Sequence, residues 1–177
     1  MKKLLGSLLA AGALAASAAA ATVDVYLVPQ DSVIGLGGTV TVDVYADISD
    51  PVLGWGLDLD AALPAVADKT GTQSIGPAWN PATSIDGDDL AGVVPFPPVG
   101  VSGNGILLAS VEFVGLSIGV TPLAVGDNYP DDLSEGFALD PTGFANVTYH
   151  GGSITVVPEP AALALLALGG LVALRRR

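Results

Sequence analysis

Between Val23 and Val157 apolar and polar residues alternate, and no window sustains a helical period. Val23, Val25 and Leu27 alternate with Asp24, Tyr26 and Val28. After turn signals at Asp31-Ser32 and Gly35-Leu36-Gly37-Gly38, the pattern is clearest: Val40, Val42, Val44 and Ala46 face one way, Thr39, Thr41, Asp43, Tyr45 and Asp47 the other. Asp50-Pro51 predicts a turn, after which Trp55, Leu57 and Leu59 alternate with Gly54, Gly56, Asp58 and Asp60; Trp55 is assigned to the core. Ser102-Gly103-Asn104-Gly105 predicts another turn. It leads into a strand with Leu107, Ala109, Val111 and Phe113 on one face and Ile106, Leu108 and Val114 on the other, buried on both sides. Ile154 and Val156 close the pattern. Residues 68–98 and 126–143, rich in Pro, Gly and Asp, predict long loops with one short strand near Leu90 to Val94. Half-buried strands joined by tight turns predict an all-β fold, an antiparallel β-sandwich.

The two ends break this pattern. Met1-Lys2-Lys3, an apolar run from Leu4 to Leu14 and the small residues Ala15 to Ala21 predict a helical signal peptide over residues 1–21. Cleavage after Ala18, Ala20 or Ala21 satisfies the small-x-small rule. Residues 22–157 then form the secreted domain and residues 158–177 a tail. In the tail, Val157-Pro158-Glu159-Pro160 precedes an uncharged run from Ala161 to Leu174 and then Arg175, Arg176 and Arg177. Pro160 suits the first turn of a helix. Such a helix spans about 21 Å, short of a ~30 Å hydrocarbon core, and the arginines hold its end in the cytoplasm. The expectation is a transient halt in the membrane, with the domain on the outer side.

Charge narrows the function classes. Residues 22–157 hold one lysine and seventeen acids, a formal charge of −16 against −12 for the whole chain. Such a domain repels nucleic-acid phosphates, so nucleic acid is excluded as a partner. With no cysteine, thiol catalysis, iron–sulfur clusters and thiolate zinc sites are excluded.

Candidate chemistry is sparse. The one histidine, His150, is read as part of a turn before the last strand, and no nucleophile elbow or dinucleotide loop is present. Asp58 and Asp60 share a strand face, the minimum for a carboxylate pair, but solvated outward aspartates are the better-supported reading. The expectation is that the chain is not an enzyme, with a small secreted hydrolase as the remote alternative. Asp86, Asp88 and Asp89 in Asp86-Gly87-Asp88-Asp89 offer hard oxygen ligands for calcium, and Asp127, Asp131 and Asp132 form a second such set; polar turns are the competing reading. Trp79, Tyr45 and Tyr129, in polar surroundings, are candidate platforms for stacking on a sugar ring.

Two resemblances add to this reading. Pro158-Glu159-Pro160, an apolar run and terminal arginines behind a signal peptide resemble the PEP-CTERM sorting signal. The resemblance implies Pro158, Glu159 and Pro160 as a motif recognised by an exosortase, Arg175 to Arg177 as a cytoplasmic stop, and delivery to the envelope or extracellular matrix of a Gram-negative bacterium. Three further stretches resemble the cohesin-like, carbohydrate-binding-module-like sandwiches. They are Gly38-Thr39-Val40-Thr41-Val42-Asp43-Val44, Gly54-Trp55-Gly56-Leu57-Asp58-Leu59-Asp60, and Gly103 to Phe113. Ala61-Ala62-Leu63-Pro64 departs from that pattern where Tyr-Asp-Pro is usual. Together the resemblances imply a cohesin-like jelly roll in a non-enzymatic surface protein, handled by signal peptidase and exosortase and binding a surface protein. A module that binds polysaccharide is the alternative.

Overall fold

The structure, a computed structural model, describes residues 20–83, 90–132 and 134–159. The predicted signal and tail helices fall outside these residues. The described chain is built from strands: β1 (Thr22–Pro29), β2 (Val33–Gly35), β3 (Thr39–Ala61), β4 (Ala67–Ile75), β5 (Asn80–Ala82), β6 (Leu90–Val93), β7 (Val101–Gly115), β8 (Gly119–Gly126), β9 (Gly136–Leu139), β10 (Asn146–His150) and β11 (Gly152–Val157).

β3 is continuous through Asp50-Pro51, where a turn was expected, and serves both layers of a sandwich. Its first half lies between β1 and β7, and β10 and β4 extend that layer at either edge. Its second half lies against β6, with β5 beyond, and against β9 and then β8, with β11 and β2 beyond. Register shifts between Ala46/Ile48 and Ile48/Val52 let the strand change layers without breaking. Pro51 has no N–H to leave unpaired, and its carbonyl accepts the Asp140 N–H at 2.9 Å. The sandwich is not antiparallel throughout: β10 runs parallel to β1 and β11 parallel to β2.

Inward residues of both halves of β3, from Val40, Val42, Val44, Ala46 and Ile48 to Trp55, Leu57, Leu59 and Ala61, meet Val23, Val25, Leu108, Val111, Phe113, Phe137, Ile154 and Val156 in one core. Alternation predicted most of this set; Ile48 and Ala61 lie just past the patterns that were read, Phe137 lies in a stretch read as loop, and one strand departs from its predicted parity. Across from Val44/Tyr45 the register of β7 slips, so Ala109 pairs with Val44 and Leu107 with Tyr45. Leu107 is thereby turned to the outer face, while Leu108 is buried beside Ala109.

Other strands were hidden from the pattern. β4 was read as loop because all but its first and last residues are exposed, leaving no alternation to see. The predicted turn at Ser102 to Gly105 instead forms the start of β7, held by the Gly105 N–H donating to Asp47 Oδ1 at 2.7 Å.

Thr121 is fully buried, and its hydroxyl accepts the Leu63 N–H at 2.9 Å, fastening the turn after β3 to β8. Thr121→Val keeps the shape and removes the acceptor. It should lower stability by about 1–3 kcal/mol, read as a lower urea midpoint with an unchanged slope; an unchanged midpoint would show that the bond does not matter.

Candidate functional site

β8 runs into a loop that returns through Glu135 to β9, and that loop packs on β10. Asp127 Oδ1 accepts the Tyr129 N–H at 3.0 Å, an Asx turn, while its Oδ2 accepts the Tyr149 hydroxyl from β10. The Asn128 N–H donates to the Glu135 carboxylate, and Asn128 Nδ2 donates to Asp58 Oδ2 at 3.0 Å. Glu135 is 1% exposed, an acid in the interior. At Gly136 φ is +77°, and a Cβ there would come within 3.3 Å of Phe144 and 3.4 Å of Tyr129. Glycine therefore permits the stack of Tyr129 on Phe144, with centroids 4.2 Å apart and planes 24° from parallel. The result is an open cleft of about 310 Å³ whose lining includes Tyr129, Phe144, Tyr149, Asp127 and Asn146. Burial, the hydrogen bond to Asp127 and the charges of Asp127, Glu135 and Asp58 push the Tyr149 phenol well above its ordinary value.

The outer face of the first layer carries a second cluster. Tyr26 pairs with Tyr45 on β3 and with His150 on β10, and Asp24 lies directly opposite Asp47. His150 stacks on Tyr26 at 4.5 Å, nearly coplanar at 5°, with its Nε2 3.2 Å from Asp24 Oδ1. Rings stacked on one another spend a face on that contact, and a sugar needs a free face.

The outer face of the second layer is different in kind. Val33 pairs with Thr155 and Thr155 with Val120, Ser153 pairs with Pro122, and Ala124 pairs with Asp60. Val33 is 47% exposed and Val120 54%. From β2 to β8 this face holds apolar and hydroxyl side chains without a charge, and Asp60 at its margin is paired with Lys69 at 3.0 Å.

The residues singled out from sequence do not converge. Trp79, expected as a sugar platform, is 4% exposed and meets Trp55 edge-on at 6.2 Å, so it belongs to the core. Polar neighbours in sequence misled because the turn from Gly76 folds the ring inward. Tyr45 is half-buried on the first layer's outer face, whereas Tyr129 lies in the cleft. Asp86, Asp88 and Asp89 lie outside the described residues. In the second proposed calcium set, Asp127 is engaged as above and Asp132 Oδ1 accepts both the N–H and the hydroxyl of Ser134, at 2.7 and 2.6 Å. Those carboxylates serve turns, and among the described residues no three acids or histidines are grouped to hold a metal ion. His150 ends a strand instead of forming a turn. Pro158 and Glu159 follow β11 directly, Pro158 half-buried and Glu159 exposed; Pro160 and Arg175 to Arg177 lie outside the described residues. Glu135 and Tyr26 were missed: Ser134-Glu135-Gly136 has no motif, and Tyr26 stood as an ordinary outward strand residue.

Comparison with known proteins bears on both parts of the chain. Residues 156–177 match the family model of the PEP-CTERM protein-sorting motif. No curated protein matches the chain. Among solved structures, the chain is similar to a non-cellulosomal cohesin from Archaeoglobus fulgidus, with a TM-score of 0.56 and 16% identity over 80% of this chain and 96% of that one. It is also similar to a chain of a type I cohesin–dockerin complex from Clostridium thermocellum, at TM-score 0.56 and 10% identity over 80% and 98%. A type II cohesin from the cellulosome of Acetivibrio cellulolyticus gives 0.53 and 11% over 77% and 95%. The domain thus has a cohesin-like fold and is followed by a PEP-CTERM sorting motif.

Tyr149 provides a check on the cleft. Its folded-state pKa lies above the unfolded value of about 10, so its contribution to stability is fully present below pH 10 and is lost as pH rises toward the folded value. In an alkaline titration at 295 nm, Tyr149 should ionise last of the four tyrosines, and Tyr149→Phe should remove that last step. Four tyrosines ionising together near pH 10 would contradict the buried bond to Asp127.

Proposed function

We propose that the protein is a non-enzymatic, exported envelope or matrix protein, sorted by an exosortase through Pro158-Glu159-Pro160, whose domain binds another surface protein. The observation that carries the second half is the uncharged face of β2, β11 and β8, with Val33, Val120, Pro122 and Ala124 exposed in a domain that is otherwise strongly acidic. A flat apolar sheet face suits a protein partner better than a hydrated ligand. The similar chain from Clostridium thermocellum belongs to a cohesin–dockerin complex, which supports a protein ligand. Sorting rests on the matched tail: Glu159 is exposed just beyond β11, where a membrane protease can reach it.

A second reading, a polysaccharide-binding module, is favoured by one feature. The cleft at Tyr129 and Phe144 combines rings with the Asn146 amide and the Asp127 carboxylate, the functional groups that hold sugars.

Two experiments test these readings. In the producing organism, Glu159→Ala should leave the tail uncut and the precursor in the membrane, seen in the mass of the C-terminus; normal processing would refute exosortase recognition at the motif. For the partner, envelope proteins retained by the exported chain are compared with those retained by the double variant Val120→Arg, Ala124→Arg. Charges on a binding face should weaken retention of its partner by roughly tenfold or more, at 1.4 kcal/mol per decade. Equal protein retention, together with polysaccharide retention that Tyr129→Ala abolishes, would favour the second reading.

A further inference from the structure

The end of the sandwich from which the tail leaves carries three loops without a charged residue, 36–38, 62–66 and 116–118. The nearest charges, Asp31 before β2, Asp68 and Lys69 at the start of β4 and Glu159 of the tail, lie around them. Residues 32–42, 61–67 and 113–126 contain no Asp, Glu, Lys, Arg or His. Backbone bonds tie these loops into one surface: the Leu36 N–H donates to the Val157 carbonyl at 2.9 Å, Gly37 to Gly115 at 2.8 Å, and Leu116 to Val66 at 2.8 Å. The Ser117 hydroxyl adds a bond to the Ala65 carbonyl at 2.7 Å. On this surface Leu36, Leu63, Leu116 and Ile118 are 40%, 50%, 52% and 60% exposed. The loops at the other end hold Asp50, Asp127, Asp131, Asp132 and Asp140.

The tail begins in the middle of this surface. Val157 pairs with Gly35 in the parallel ladder, and Glu159 Cγ lies 3.7 Å from where a Cβ of Gly35 would stand. Four peptide steps separate Val157 from Ala161, the first residue of the apolar run, a reach of at most about 14 Å. The headgroup layer occupies roughly 5–8 Å on each side of the hydrocarbon. With the apolar run in the membrane, the domain has little slack to stand off, and its acids would be repelled by anionic headgroups.

We propose that these apolar loops dock on the lipid bilayer itself, with Leu36, Leu63, Leu116 and Ile118 entering the interface while the tail is inserted. The inference rests on the tail entering the membrane and not on the identity of the domain's partner. Apolar side chains beside an inserted segment gain by leaving water, and with no acid within the three loops the opposing electrostatic cost is confined to Asp31, Asp68 and Glu159 around them. The placement turns the acidic cleft away from the membrane.

The chain has no cysteine, so a single one can be labelled uniquely. Full-length chains with Ile118→Cys, or Thr142→Cys at the acidic end, carry a polarity-sensitive fluorophore and are reconstituted into phosphatidylcholine vesicles with and without phosphatidylglycerol. The label at 118 should shift to the blue, be quenched by doxyl-labelled lipid and escape aqueous iodide; the label at 142 should do the reverse. A reporter from Leu63→Cys should lose its lipid quenching when Leu116→Asp and Ile118→Asp are introduced. These sites are exposed, so circular dichroism should be unchanged. Iodide quenching of the label at 118 in vesicles would overturn the proposal. Shielding without lipid would overturn it by showing that the chain's own tail covers the surface. Shielding only on addition of exosortase would assign the surface to that enzyme. Failure of the chain to float with vesicles would remove the premise of an inserted tail, leaving the partner-binding reading untouched.

Discussion

The structure depends on one strand having neighbours in both layers. β3 pairs with β1 and β7 in its first half and with β6, β9 and β8 in its second. A strand that crosses a sandwich must satisfy its backbone on both edges all the way, because unpaired buried N–H and C=O groups are costly. The register shifts around Ile48 absorb the bend, and Pro51 sits where no donor is needed. Every other strand takes its place from this one. Because β3 ends at the uncharged loops and bends at the acidic ones, it also fixes which end of the domain is which.

What could be read from sequence followed what was half-buried. Val40 to Ala46 and Trp55 to Leu59 alternate because one side meets the core and the other faces outward, and their burial follows that pattern except at Gly56, which Ser134 and Glu135 cover. β4 escaped because an edge strand with both faces wet carries no such record. Leu107 and Leu108 could not be assigned because a bulge changes the parity of the strand, and parity is set by the partner across the ladder. Trp79 was misplaced for a related reason: it packs edge-on against Trp55, whose own ring lies on the bare backbone of Gly92, and its neighbours in sequence do not reveal this. The cleft was legible only in pieces. Asp127 and Tyr129 stood out in a long loop, but Glu135, Phe144 and Tyr149 join them through chain returns that no linear pattern encodes. The sorting motif was legible because its parts, Pro158-Glu159-Pro160, an apolar run and terminal arginines, follow one another along the chain.

Acidity is unevenly distributed in space although it is spread along the sequence. Three loops at one end, 36–38, 62–66 and 116–118, hold none of the domain's seventeen acids, and backbone bonds join them into one surface. The opposite end has a buried acid, Glu135, a phenol held protonated by its neighbours and an open cleft. Between them lie two outer faces of unlike character, one crowded with stacked rings and carboxylates, the other plain.

Among the described residues the last strand runs straight into the sorting motif, since Val156 and Val157 belong both to β11 and to the matched motif. A flexible linker would let each copy tumble about its attachment point. Under the proposal above, a precursor copy whose uncut tail lies in the membrane would be mounted rather than tethered, and neighbouring precursor copies would stand in the same orientation. Each domain carries −16, and like charges repel across a screening length of about 8 Å at physiological salt. A densely populated surface would then behave as an ordered polyelectrolyte carpet, its lateral spacing governed by ionic strength and its outward layer uniform from one copy to the next.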